Sequence, residues 1–255
     1  MREKRFTITE HMVELRRRLT WSAGTVLLCT GIAFAFHKQI LSFLLLPAQG
    51  FAGIPNQKPI YIDLTEFVGI AMKVSLLGGL LLSLPFVLFQ IVMFVAPGLT
   101  PGERRYLFAL LPISLLVFAV GAAFGYRILL PPAVRFLLSF GGDVATPAIR
   151  IGNYVNLMLT LLFWMGIIFE TPLVMFFLSK IGVVTHSFLA KNRRYAVVVA
   201  FILGAIITPT FDPVNQSLVA LPIIVMYEAG IWLARIGGRK RRSAAKGLEL
   251  DTKQR

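Results

Sequence analysis

The chain has 255 residues, is 56% hydrophobic with a mean hydropathy of +0.75, and carries a formal net charge of +14. A soluble domain is about 45–50% apolar. Here the excess lies in long continuous runs, which excludes a soluble fold and predicts an all-α integral membrane protein. The single cysteine, Cys29, excludes an internal disulfide and a cysteine-based metal cluster.

Residues 7–19, TITEHMVELRRRL, form the first predicted element. Thr7 and Glu10 have capping-box spacing. Ile8, Met12, Leu15 and Leu19 make one apolar stripe, with Glu10, Glu14, Arg17 and Arg18 opposite. The pattern predicts an amphipathic helix at the membrane interface, leading into a first span over 20–36. The mixed-charge residues before that run, and the lack of a small-residue cleavage site after it, predict a retained span rather than a cleaved leader. Glu14 has two readings: a local i,i+4 partner for Arg18, or a groove-facing carboxylate that receives a cation from elsewhere.

A second span is predicted over 67–96 and ends at Pro97-Gly98. FVAPGLTPGERRY then supplies Thr100 as N-cap, Pro101 in the first turn and Glu103 as capping-box partner of a third span over 105–126. A proline-bounded loop is also a rigid platform for a binding carboxylate, so Glu103 is either a cap or a ligand-binding group. The fourth predicted span, 152–180, carries Glu170 about ten residues from its end, or roughly 15 Å deep at about 1.5 Å per residue. Charge at that depth is costly and usually functional. Asn153, Asn156, Thr160 and Thr171 share its helical side, and Pro172 removes one backbone donor. Three roles fit Glu170: a protonated group hydrogen-bonded in the bundle, a hydrated recess that receives a partner, or a proton-transfer site.

The fifth and sixth spans, 195–209 and 216–234, flank the turn TFDPVNQ, and the fifth is short for a bilayer. Thr208, Asp212, Asn215 and Gln216 suit turn chemistry or contacts between helices of different subunits. Residues 1–236 read as one membrane domain, and 237–255 as a basic tail expected to be disordered. Of the 26 Lys and Arg residues, 20 lie in the N-terminal segment, the second–third and fourth–fifth loops and the tail. The positive-inside rule therefore puts both termini in the cytoplasm and accounts for the net charge without nucleic acid. His11, His37 and His186 have no partners at metal-ligand spacing, and no nucleophile or phosphate-binding motif occurs. Neither an enzyme nor a cofactor is expected.

The motifs together resemble the TatC family, the multispanning subunit of the twin-arginine protein translocase. HMVELRRRL is similar to the family's H-x-x-E-L-R-x-R motif, and FVAPGLTPGERR to its first cytoplasmic loop. TEFVGIAMK resembles the start of its second span, FETP its fourth, and ITP through ALP, with Glu228, its last hairpin. The hairpin departs in reading TPTFDP where some relatives have TPPD. The resemblance implies a receptor in the bacterial cytoplasmic membrane that binds twin-arginine signal peptides and uses the proton-motive force to export folded proteins. It implies a signal-binding surface at Glu14, Arg16, Phe94, Pro97, Glu103, Arg104 and Arg105. It further implies that Thr208 and Gln216 contact single-span TatA/TatB-type partners, within a larger self-associated complex. The rival readings are a proton- or ion-coupled small-solute transporter using Glu170 and a structural membrane anchor for a soluble enzyme.

Overall fold

The computed structural model describes residues 8–47, 59–139, 149–208 and 212–253. Among them every extended element is helical, and β pairing is confined to an isolated parallel bridge between Ile60 and Arg150. Five of these helices are long and apolar enough to cross a membrane. The chain divides into two compact units, Met1–Leu115 with Ile149–Val155, and Leu116–Ala148 with Asn156–Arg255.

In the first unit, α1 (Ile8–Ala35) is one continuous helix of 28 residues. The sequence predicts an amphipathic interfacial helix leading into a span here, and the two form one helix. The join is continuous because no Pro or Gly interrupts residues 8–23; Thr20 at the join donates from Oγ1 to the Arg16 carbonyl at 2.8 Å. Thr7, the expected cap, lies outside the described residues. A short α2 (His37–Leu45) follows and buries Leu41 and Leu44. The second span is α3 (Glu66–Val95), close to its predicted bounds.

Helices α1 and α3 run antiparallel, since Thr30 meets Gly79, Arg18 meets Gln90, and His11 meets Phe94. Their seam is a stripe of small residues, Ser75, Gly79 and Ser83, all buried on α3. A Cβ on Gly79 would collide with the backbone of Thr30. Small residues are what let two backbones approach where lipid offers no hydrophobic driving force. A tight turn, Ala96–Gly98, closes α3, and α4 (Pro101–Phe124) follows.

The second unit contains the later half of α4, which runs on through a π-type turn (Gly125–Leu129) into α5 (Leu130–Ser139). The third span thus continues past its predicted end at 126. Pro131 and Pro132 lack backbone donors inside this continuous helix, and the π-type turn just before them is where the hydrogen-bond ladder changes register. Gly121 lies against α6 (Ile151–Ile181): a Cβ there would stand 2.5 Å from the Met165 carbonyl oxygen. A short α7 (His186–Lys191) is capped by Thr185, whose side chain accepts from the Phe188 N–H at 3.3 Å. The fifth predicted span is α8 (Arg193–Ile207), 15 residues long. At about 1.5 Å per residue it reaches roughly 22 Å, short of a hydrocarbon core of about 30 Å. Its predicted end, Pro209, lies outside the described residues. The last helix, α9 (Pro213–Lys253), continues where the sequence predicts a disordered tail.

Large apolar side chains face outward on both units, among them Leu27, Leu28, Leu82, Leu116, Val198 and Trp232. Such surfaces suit lipid, where the backbone is already satisfied within each helix.

Candidate functional site

The first polar constellation lies where the first turns of α1 pack on the last turns of α3. The His11 ring stacks on Phe94 with centroids 4.3 Å apart and planes 15° apart. One turn further on, Glu14 meets Arg18. Arg18 donates from Nε to Glu14 Oε1 at 3.0 Å and from Nη2 to the same oxygen. Its third nitrogen, Nη1, donates across to Gln90 Oε1 on α3 at 3.1 Å. The local i,i+4 reading of Glu14 is therefore formed, with a bridge to the neighbouring helix. Glu14 is enclosed, its side chain 19% exposed, and its other oxygen, Oε2, is buried with no hydrogen bond. Beside it opens a recess of about 330 Å³ lined by Glu14, Arg17, Arg18, Trp21, Phe89 and Gln90. Phe89 lies 6.3 Å from Phe108, over which the Arg104 guanidinium sits at 5.7 Å in a cation–π contact.

Glu103 forms the predicted capping box. Its Oε2 accepts from the Thr100 N–H at 2.9 Å and from Thr100 Oγ1 at 2.8 Å, while Thr100 Oγ1 accepts from the Glu103 N–H at 3.4 Å. Arg16, Pro97, Arg104 and Arg105 are exposed, and Phe94 is half-buried. The structure thus joins Glu14 to Arg18 and Gln90, joins Phe94 to His11, and joins Glu103 to Thr100. Sequence reasoning missed Gln90. A neutral amide inside an apolar run was the available signal, by the logic that singled out Glu170.

At the other end of α3 is a clasp that the sequence did not reveal. Arg150 Nη2 donates to Asp63 Oδ2 at 2.7 Å and to Glu66 Oε2 at 3.1 Å. Glu66 Oε1 accepts from the Gly152 N–H at 3.0 Å, so Glu66 caps the first turn of α6 from a distant part of the chain. The backbone adds Ile60 N–H to the Ile149 carbonyl at 3.0 Å and Ile151 N–H to the Ile60 carbonyl at 2.8 Å. Hydrogen bonding to Glu66, then to Asp63, holds the Arg150 guanidinium above its ordinary pKa.

In the second unit, Glu170 is half-buried on α6, and α6 stays helical through Pro172. Phe169 beside it packs on Phe124 with centroids 5.2 Å apart. Thr208 is buried at the end of α8, its Oγ1 donating to the Gly204 carbonyl at 2.8 Å. Gln216 Nε2 donates to the Phe201 carbonyl at 2.8 Å, tying α9 to α8. Asp212 caps α9: Oδ1 accepts from the Asn215 N–H at 2.7 Å and Oδ2 from Asn215 Nδ2 at 3.0 Å. The turn-chemistry reading of this hairpin is therefore formed. Among the described residues no His, Cys, Asp and Glu cluster has the makings of a metal site.

These features define a multi-pass helical membrane protein with a polar surface at one end of its first unit, where Glu14 pairs with Arg18 and Glu103 caps α4. The family model for Sec-independent protein translocase protein (TatC) matches residues 10–222. A Sec-independent protein translocase protein TatC of Aquifex aeolicus is 39% identical over 94% of this chain and 99% of its own length. The corresponding protein of Carboxydothermus hydrogenoformans is 36% identical over 92% of this chain and 95% of its own. A crystal structure of a twin-arginine translocase receptor, TatC, superposes with a TM-score of 0.80 at 38% identity, covering 89% of this chain and 99% of that one. The chain belongs to the TatC family of Sec-independent protein translocase proteins.

Proposed function

We propose that this chain is the receptor subunit that binds twin-arginine signal peptides at the cytoplasmic ends of α1, α3 and α4. The observation that carries this reading is the enclosed Glu14 carboxylate, with one oxygen buried and without a hydrogen bond, beside an open recess in a TatC-family chain. An arginine presents a permanently charged planar fork that matches a carboxylate. Glu14 and Glu103, on separate rigid helices, suit two arginines in series, and Arg16, Phe94, Pro97, Arg104 and Arg105 complete the surface. An exposed ion pair is worth only about 0–1 kcal/mol. Affinity then also needs the apolar part of the signal, packing along the spans at about 0.8 kcal/mol per buried methylene.

In this reading α8 completes six spans, both termini are cytoplasmic, and 20 of the 26 basic residues lie on the inner side. Thr208 and Gln216 border the site for a single-span TatA/TatB-type partner. Glu170 is a second, deeper polar site for that partner or for an inserted signal, and the proton-motive force drives export of the folded cargo. Family membership weighs against the solute-transporter reading of Glu170. The test is export of a twin-arginine reporter in cells that lack their own receptor subunit and carry compatible partners. Wild type restores export, and the Glu14→Ala, Glu103→Ala double variant loses both export and cross-linking to the signal. Unchanged cross-linking in the double variant rejects the site.

A further inference from the structure

Glu14 is not empty. Arg18, four residues along the same helix, already holds it with two nitrogens on Oε1 and passes its third to Gln90. The chain therefore carries, in the seat assigned above to a signal arginine, a guanidinium of its own. We propose that Arg18 is an internal surrogate for the signal-peptide arginine, so that the signal binds by exchange. In that exchange Arg18 swings away, and the incoming guanidinium takes its place between Glu14 and Gln90, which makes Gln90 a further binding residue. The inference rests on the receptor reading and deepens it.

Three observations carry it. First, Glu14 Oε2 is buried and has no hydrogen bond, so the latched state leaves a costly group unsatisfied. A ligand whose fork engages both carboxylate oxygens gains what Arg18, bound to Oε1 alone, does not. Second, Gln90 Oε1 is a ready-made acceptor for the same fork, on a different helix, which fixes the plane of whatever guanidinium sits there. Third, the recess of about 330 Å³ borders Arg18 on the side of Arg17 and Trp21 and gives the displaced side chain room to move.

A closed latch lowers apparent affinity by the fraction of open molecules. If that fraction is about 10% or less, as for typical minor states, removing the latch tightens binding about tenfold or more.

The experiment titrates a fluorescent synthetic twin-arginine signal peptide, and its lysine-pair counterpart, into the full-length protein in lipid nanodiscs. Arg18→Met keeps the apolar stem, and its dissociation constant is expected to fall about tenfold or more. In the Arg18→Met protein, adding Gln90→Leu is expected to weaken binding severalfold, because the acceptor is lost where no latch remains to be loosened. An unchanged or weaker affinity in Arg18→Met overturns the exchange, and an unchanged affinity on adding Gln90→Leu overturns the role of Gln90. If Arg18→Met does not give a folded, monodisperse protein, Arg18→Lys is read instead. It keeps the charge but not the fork, and it must tighten binding by an intermediate factor; no gain overturns the proposal. Glu14→Gln separates this inference from the receptor reading. Loss of binding in Glu14→Gln with no gain in Arg18→Met rejects the latch alone. Binding indifferent to both Glu14→Gln and the arginine-to-lysine change rejects the receptor site itself.

Discussion

At the scale of single residues, Glu103 forms an observed cap and is also proposed to bind a signal arginine. Its Oε2 caps α4 by accepting twice from Thr100. The two roles separate by substitution. Thr100→Ala removes the side-chain half of the box and leaves the carboxylate, so it is expected to cost about 1 kcal/mol of stability, within a range of about 0.5–2. Binding of a twin-arginine peptide should be largely kept. Glu103→Gln keeps an acceptor for the Thr100 N–H but loses the charge, so it should leave the melting temperature nearly unchanged and weaken binding. Thermal unfolding and peptide titration on both variants check this, and the reverse pattern makes Glu103 a cap only. The capping box was legible because T-x-x-E is a local rule. The Glu14–Arg18 pair was legible for the same reason, at i,i+4. Gln90 and the Arg150 clasp were not, since their partners lie 72 and 84–87 residues away and no local spacing encodes them.

At the scale of elements, the α1–α3 seam decides whether the surface exists. Arg18 bridges Glu14 to Gln90 only because α1 can lie against α3, and that approach is set at Gly79 beneath Thr30. Gly79→Ala puts a methyl into backbone atoms that cannot rotate away, and is expected to cost about 1–3 kcal/mol. Gly69→Ala on the same helix meets nothing within 4 Å and should be neutral or slightly stabilising. Melting temperatures of the detergent-solubilised variants check the pair, and equal shifts in both reject a tight seam at Gly79. The apolar runs located α3 and α6 almost to the residue, since length and hydropathy alone define a span. They left the join within α1 open, because an amphipathic stretch and a span share one helical period and differ only in what surrounds them. They also missed α2 and α5, short helices whose packing against neighbouring helices is a long-range property.

At the scale of the whole molecule, α8 decides topology by parity. Five spanning helices put the two termini on opposite sides of the bilayer, and six put them on the same side. Length alone argues against α8 crossing, since 15 residues reach roughly 22 Å. Charge argues the other way. Arg193 and Arg194 open α8, and eight basic residues follow from Arg235 to the end of the chain. If α8 did not cross, those eight charges would lie on the outer side, against the bias that orients membrane proteins. The mismatch in length costs only fractions of a kcal/mol per ångström and can be met by thinning the bilayer locally, whereas translocating the basic tail works against every charge in it. The larger effect wins, so both termini are expected on the cytoplasmic side. Epitope tags at each end, probed by protease on sealed right-side-out vesicles and again after lysis, check this. Both tags should resist protease until the vesicles are opened. A C-terminal tag cleaved from outside would make α8 re-entrant and remove the six-span topology on which the placement of Thr208 and Gln216 depends.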